Sequence, residues 1–139
     1  MVISLAQFFY QKWNFRNCFG AKDGKHVRIQ NPAHASSLYH NYKQYFSIIF
    51  LGVADSGCKF LCVDIGACGR QSDGGAFHNS DVYKCLHNNT FNCQLLSKLP
   101  KSEKNNTLCV AYGEAYPLMP KLMRSFPRQN LHADKKIFN

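Results

Sequence analysis

Two runs dense in β-branched and aromatic residues, 45–54 (YFSIIFLGVA) and 59–65 (KFLCVDI), flank the turn signal Asp55-Ser56-Gly57. Apolar runs of this length bounded by turn residues form a β-hairpin. A first strand this apolar has to be buried within a sheet. A third run of the same kind, 107–112 (TLCVAY), predicts another central strand. Residues 21–29 read as strand, a tight turn or bulge at Asp23-Gly24, then alternating strand. Val2, Leu5, Phe9 and Trp13 stand at helix-like spacings, which predicts a short N-terminal helix. A glycine-rich loop at 66–75 leads into a helix running from Ala76 or Ser80 to His87. Residues 31–43, 88–106 and 125–139 are polar or basic and read as connecting segments, with a turn or helix start between Pro117 and Pro120. The order strand, hairpin, helix, strand predicts an α/β layer: a mixed sheet with helices packed on it. The 139 residues suit one domain, with residues 1–18 as a helical lead-in.

Charge narrows the function classes. Seventeen Lys and Arg against eight Asp and Glu give a net charge of +9. That balance favours polyanions, nucleic acid first among them, over the alternative of a basic protein with no such partner. The basic residues run from Lys12 to Lys136, which fits a folded surface better than a charged tail. With 45% hydrophobic residues the chain is not globally disordered. Its longest apolar run, 46–54, is broken by Ser47 and Gly52 and is too short to span a bilayer. No basic residue precedes Lys12, so a secretory leader is not expected. Seven cysteines without a Cys-x-x-Cys pair disfavour a zinc finger. Cys58, Cys62 and Cys109 lie in apolar stretches and read as small hydrophobes, suiting a reducing compartment.

Several acids stand where chemistry could use them. Asp23 interrupts a strand beside Lys22, Lys25 and His26. A carboxylate there is either part of an Asp-Gly turn or a hard oxygen ligand for Mg²⁺ or Mn²⁺. Asp73, in Ser72-Asp73-Gly74-Gly75, is either a helix cap or a second carboxylate facing Asp23 across the sheet end. Asp64 and Glu114 end strands, as metal neighbours or as solvated acids. Lys25, Arg28 and Arg70 could neutralise phosphates or simply be solvated. No Ser-His-Asp or Cys-His arrangement follows from the spacing, and the glycines form no phosphate-binding loop.

These residues fall into ordered blocks: Gly20-Ala-Lys-Asp23-Gly-Lys-His26, Ser37-Leu-Tyr-His-Asn41-Tyr-Lys43, Gly69-Arg-Gln-Ser-Asp73-Gly-Gly, Glu114-Ala-Tyr-Pro-Leu118 and Lys136-Ile-Phe-Asn139. Together they resemble the Harbinger (PIF-type) transposases and the nucleases derived from them. The resemblance implies an RNase H-like mixed sheet and a DDE-type acidic site that acts on DNA phosphodiesters with Mg²⁺ or Mn²⁺. It implies Asp23 as the first catalytic aspartate, with Asp73 beside the metal. The family's next aspartate falls on Gly113 here, with Glu114 one residue away and, by strand alternation, on the opposite face. The family's catalytic glutamate belongs to a helix past the Ile-Phe-Asn block, so the domain is expected to be C-terminally incomplete. The resemblance therefore implies a truncated or degenerate nuclease, or a basic DNA- or protein-binding module without catalysis. It further implies a Myb-like DNA-binding partner, while the cysteine usage and the short apolar runs lead to an expectation of nucleus and cytoplasm without membrane attachment.

Overall fold

The computed structural model describes residues 2–88, 97–98, 105–106, 109–113 and 121–124. The chain opens with helix α1 (Val2–Trp13), then strand β1 (Cys18–Arg28), hairpin strands β2 (Ser47–Ala54) and β3 (Phe60–Cys68), and two short helices, α2 (Asp73–His78) and α3 (Asp81–His87). Four short strands follow: β4 (Ser97–Lys98), β5 (Asn105–Asn106), β6 (Cys109–Tyr112) and β7 (Leu122–Arg124). Five strands form one sheet in the order β3-β2-β1-β6-β7, while β4 and β5 pair separately. β1 runs antiparallel to β2, and β2 to β3; β6 runs parallel to β1, and β7 to β6. The sheet is thus mixed and the architecture α/β, as the sequence predicts.

The core lies between one face of this sheet and the helices. Ile49, Leu51 and Val53 of β2 alternate inward and meet Phe77 of α2 and Val82 and Leu86 of α3. Val110, Tyr112 and Leu122 extend the cluster across the parallel strands, and Ala6 of α1 joins it. A second cluster of Phe9, Cys18 and Cys109 holds α1 against the β1–β6 seam. The α1 end is tied by the Trp13 indole N–H, which donates to the Ser56 carbonyl in the β2–β3 turn at 3.2 Å. On the opposite sheet face Val27, Phe60, Val63 and Ile65 remain exposed.

Three local expectations change. Asp23-Gly24 is neither turn nor bulge: both residues sit in a continuous strand, partnered with Gly52 and Leu51. The ladder to β2 outweighs the turn preference of the dipeptide. The helix expected after the glycine-rich loop is two helices, because Ser80 serves both. Its hydroxyl donates to Phe77 O (2.6 Å), ending α2, and accepts from Tyr83 N (3.1 Å), starting α3. Cys58 is not a buried hydrophobe but an exposed residue at φ 64°, in the left-handed turn position of the hairpin. The remaining described cysteines are all free thiols. Cys93, Glu114, the Pro117–Pro120 turn and the basic 125–139 segment lie outside the described residues.

Candidate functional site

Strand alternation divides β1 into two sets of side chains. Lys22 and His26 turn toward α2. Lys22 is only 4% exposed, with its Nζ 3.7 Å from the centroid of the Phe77 ring. His26 Nε2 lies 3.7 Å from Asp73 Oδ1. Burial pushes the Lys22 ammonium down to about 7, against the opposing pull of the Asp73 and Asp23 carboxylates. Asp23 and Lys25 turn to the other face and are exposed, with Asp23 Oδ1 accepting the Gly24 amide at 2.8 Å. Asp23 and Asp73 therefore do not share one face of β1; they lie on either side of the strand at Lys22.

Asp73 is the first residue of α2, and the capping role falls to Ser72, whose hydroxyl accepts from Gly75 N at 3.1 Å. That leaves the Asp73 carboxylate free of backbone duty, and its buried Oδ1 has no hydrogen-bond partner. Asp64 is not merely solvated: its Oδ2 accepts the Asp81 amide at 2.9 Å and fastens α3 to β3. Of the basic candidates, Lys25 and Arg70 are exposed, and the exposed Arg28 places its guanidinium 4.5 Å from the Tyr45 ring centroid. Arg70 donates its backbone N–H to the Leu38 carbonyl at 3.2 Å, which brings it beside the 31–46 segment.

Behind His26 lies a hydrogen-bond chain that no spacing signals in the sequence. The Asn41 side-chain oxygen accepts two backbone N–H groups, from Lys43 (2.9 Å) and Tyr45 (3.3 Å). Those donors fix the amide's orientation, so its NH₂ faces Ser47 and donates to Ser47 Oγ at 2.8 Å. Ser47 Oγ in turn lies 2.9 Å from His26 Nδ1. Only the Lys22–His26 pair had a readable signal, an i, i+4 step on the inward side of a strand.

The parallel pairing of β1 with β6 supplies the remaining relationship. Lys22 and Tyr112 are register partners. The ladder ends there, and the next residues along the two chains are Asp23 and Gly113, the latter just past the end of β6. A Cβ added at Gly113 would meet nothing within 4 Å, so the space for a side chain is present. Among the described residues, no three His, Cys, Asp or Glu side chains gather as a metal cluster.

A sheet of order β3-β2-β1-β6-β7 with an exposed aspartate on its central strand, at the parallel seam, defines an RNase H-like nuclease fold. A family model described as DDE superfamily endonuclease matches residues 22–139, and the chain belongs to that family. No curated protein and no solved structure matches it. Members of the family generally use divalent metal ions. The donors present suit a hard cation in kind, since both Asp23 and Asp73 offer carboxylate oxygen. They are few in number, because position 113 brings none. Among the described residues no helix is long and apolar enough to cross a membrane.

Proposed function

We propose that this chain is a Harbinger-type DDE endonuclease domain that engages DNA phosphodiesters at Asp23 with Mg²⁺ or Mn²⁺, with its chemistry attenuated by Gly113. The observation that carries this reading is the parallel β1–β6 register, whose last pair, Lys22 and Tyr112, is followed on the two chains by Asp23 and Gly113. Two acids on adjacent parallel strands would make a shared ligand set, and here one of the two is missing. A bound divalent ion would activate water and neutralise charge on the phosphodiester. Asp23 is the anchoring ligand. Asp73, facing His26 on the other side of β1 and with a buried, unbonded Oδ1, is the second acid that the motif blocks imply, and the ion at Asp23 does not reach it directly. Lys25, on the same face as Asp23, meets the phosphate backbone. The ordered motif blocks from Gly20 to Asn139 support the Harbinger branch. With it come the Myb-like DNA-binding partner and the nuclear and cytoplasmic location.

The second reading is a basic DNA- or protein-binding module without catalysis. The net charge of +9 and the glycine at position 113 support it. Two measurements separate them. Calorimetric titration with Mn²⁺ is expected to show binding weaker than about 1 mM that disappears in Asp23→Ala, because so few carboxylates leave the ion mostly hydrated. Supercoiled plasmid with Mn²⁺ is expected to remain uncut by the wild-type chain. Cleavage that Asp23→Ala abolishes would establish full catalysis and remove the attenuation. Tight binding that survives Asp23→Ala would overturn the site.

A further inference from the structure

Tyr42 is the most exposed large aromatic among the described residues, at 76%. A single exposed aromatic is ordinary. This one differs in how it is held and in what surrounds it. The residue before it, Asn41, is buried, and its side chain accepts the N–H groups of Lys43 and Tyr45 while donating to Ser47. The loop closes on itself through Asn41 N to Tyr45 O (2.9 Å) and Gln44 N to Asn41 O (3.0 Å). Tyr42 is therefore presented from a pre-ordered turn, and little conformational freedom remains to be lost when a ligand meets it.

The surroundings are cationic. Lys43 Nζ lies 5.5 Å from the Tyr42 ring centroid. Arg28 covers Tyr45 three residues along, and the exposed Arg70 is tied to the same segment by its backbone N–H to the Leu38 carbonyl. His26 meets the Tyr42 ring edge-on at 5.7 Å, and His26 is the residue that faces Asp73. One imidazole thus separates the exposed ring from a carboxylate of the candidate site. An exposed ring among cations, on a chain of net charge +9, matches the way proteins hold unpaired nucleotides: phosphates on the cations, base on the ring. A paired base inside a duplex has no open face for such a ring.

We propose that Tyr42 is a stacking platform for an unpaired base of the DNA strand held at this site. The inference rests on the DNA reading of the chain and adds the substrate's form: a strand with at least one unpaired base.

The test uses the full chain in EDTA, so that neither metal nor cleavage enters. The probes are a single-stranded oligonucleotide carrying 2-aminopurine and a blunt duplex of the same sequence. Wild type is expected to quench the 2-aminopurine and to bind the single strand. Tyr42→Ala is expected to weaken single-strand binding by about 10- to 100-fold and to remove the quench. Tyr42→Phe keeps the ring and is expected to retain both. Duplex affinity and the salt dependence of binding are expected to stay the same in Tyr42→Ala, while Lys43→Ala lowers the salt slope. Equal single-strand binding by wild type and Tyr42→Ala overturns the inference, as does a loss of equal size on both probes. Wild type binding neither probe overturns it too. The manganese titration at Asp23 judges the site independently of all these outcomes.

Discussion

Ser47 Oγ stands 2.9 Å from His26 Nδ1, within hydrogen-bond reach. Asn41 donates to the same oxygen, and its amide cannot turn over because Lys43 and Tyr45 hold its carbonyl end. With one lone pair taken by Asn41, the Ser47 hydroxyl keeps its hydrogen and a second lone pair for His26 Nδ1. Where the serine donates, neutral His26 carries its proton on Nε2, the nitrogen that faces Asp73. A loop residue, a β2 residue and a β1 residue together decide which way an imidazole presents its donor to the α2 carboxylate.

Ser47→Ala breaks this chain at its centre. Ser47 is fully buried, so the substitution strands the Asn41 NH₂ and leaves His26 Nδ1 without its partner. The expected loss of stability is about 1–3 kcal/mol, the range for leaving buried polar groups unsatisfied. Urea denaturation measures the loss. Long-range ¹H–¹⁵N correlation of His26 checks the tautomer: Nε2–H in wild type, a mixture in Ser47→Ala. A clean Nδ1–H signal in wild type would contradict the hydrogen assignment.

The contrast between what was readable and what was not is physical. The β2–β3 hairpin and β6 announce themselves because a buried strand needs a continuous apolar run, and residues 47–54 and 109–112 have one. Asp23 was legible as a candidate acid, but its strand continuity was not, since Asp-Gly is a turn signal until a partner strand pairs it. The break between α2 and α3 depends on Ser80 making two hydrogen bonds at once, which composition does not encode. The adjacency of Asp23 and Gly113 is set by parallel register between strands some 90 residues apart, beyond the reach of local pattern. Asn41 sits in a segment whose polar composition reads simply as loop, although it is buried.

Gly69 is expected to be among the least replaceable glycines. Its N–H donates to Ser47 O at 2.9 Å, and a Cβ there would come 2.5 Å from both Ser47 O and Tyr39 O, as well as into contact with Ser47 Oγ. Two of these atoms are backbone and cannot swing aside. Gly69→Ala is expected to cost about 2–3 kcal/mol or more. Gly75→Ala meets only Ser72 Oγ, at 3.3 Å, and is expected to cost less than about 1 kcal/mol. Parallel denaturant midpoints of the two variants measure the difference, and equal midpoints would refute it.

Lys22 predicts a pH dependence of stability. Its folded pKa is lowered from 10.5 to about 7 by burial, with Asp73 and Asp23 pulling the other way. Near pH 7 and below, the folded chain must bury an ammonium. Between pH 7 and 10.5 the folded state has released the proton and the unfolded state has not, so stability rises with pH. Burial and the neighbouring Cys85 thiol push Cys62 up, and the bond to Cys18, then burial, push Cys109 up. Those thiols lower stability once unfolded cysteines ionise, above about pH 8.5. In EDTA, the unfolding free energy is expected to increase by about 1–2 kcal/mol from pH 7 to 8.5. Lys22→Met should flatten that rise, and a slope of equal size in the variant would show that another group causes it.

Gly113→Asp is expected to strengthen metal binding without harming the fold. The site has room, since a Cβ at 113 meets nothing within 4 Å, and the residue is exposed. The new carboxylate follows Tyr112 as Asp23 follows Lys22, the last pair of the β1–β6 ladder. Two adjacent carboxylates repel each other when the ion is absent and share its charge when it is present. Mn²⁺ affinity should therefore rise by about tenfold or more, a gain of about 1.4 kcal/mol. The metal-free variant should unfold slightly earlier than wild type and the Mn²⁺-loaded variant later. Adding Asp23→Ala should cancel most of the gain, because the new acid then has no partner across the seam. Calorimetric titration of wild type, Gly113→Asp and the double variant reads all three outcomes. An affinity unchanged by Gly113→Asp would mean that the β1–β6 seam is not where the ion sits.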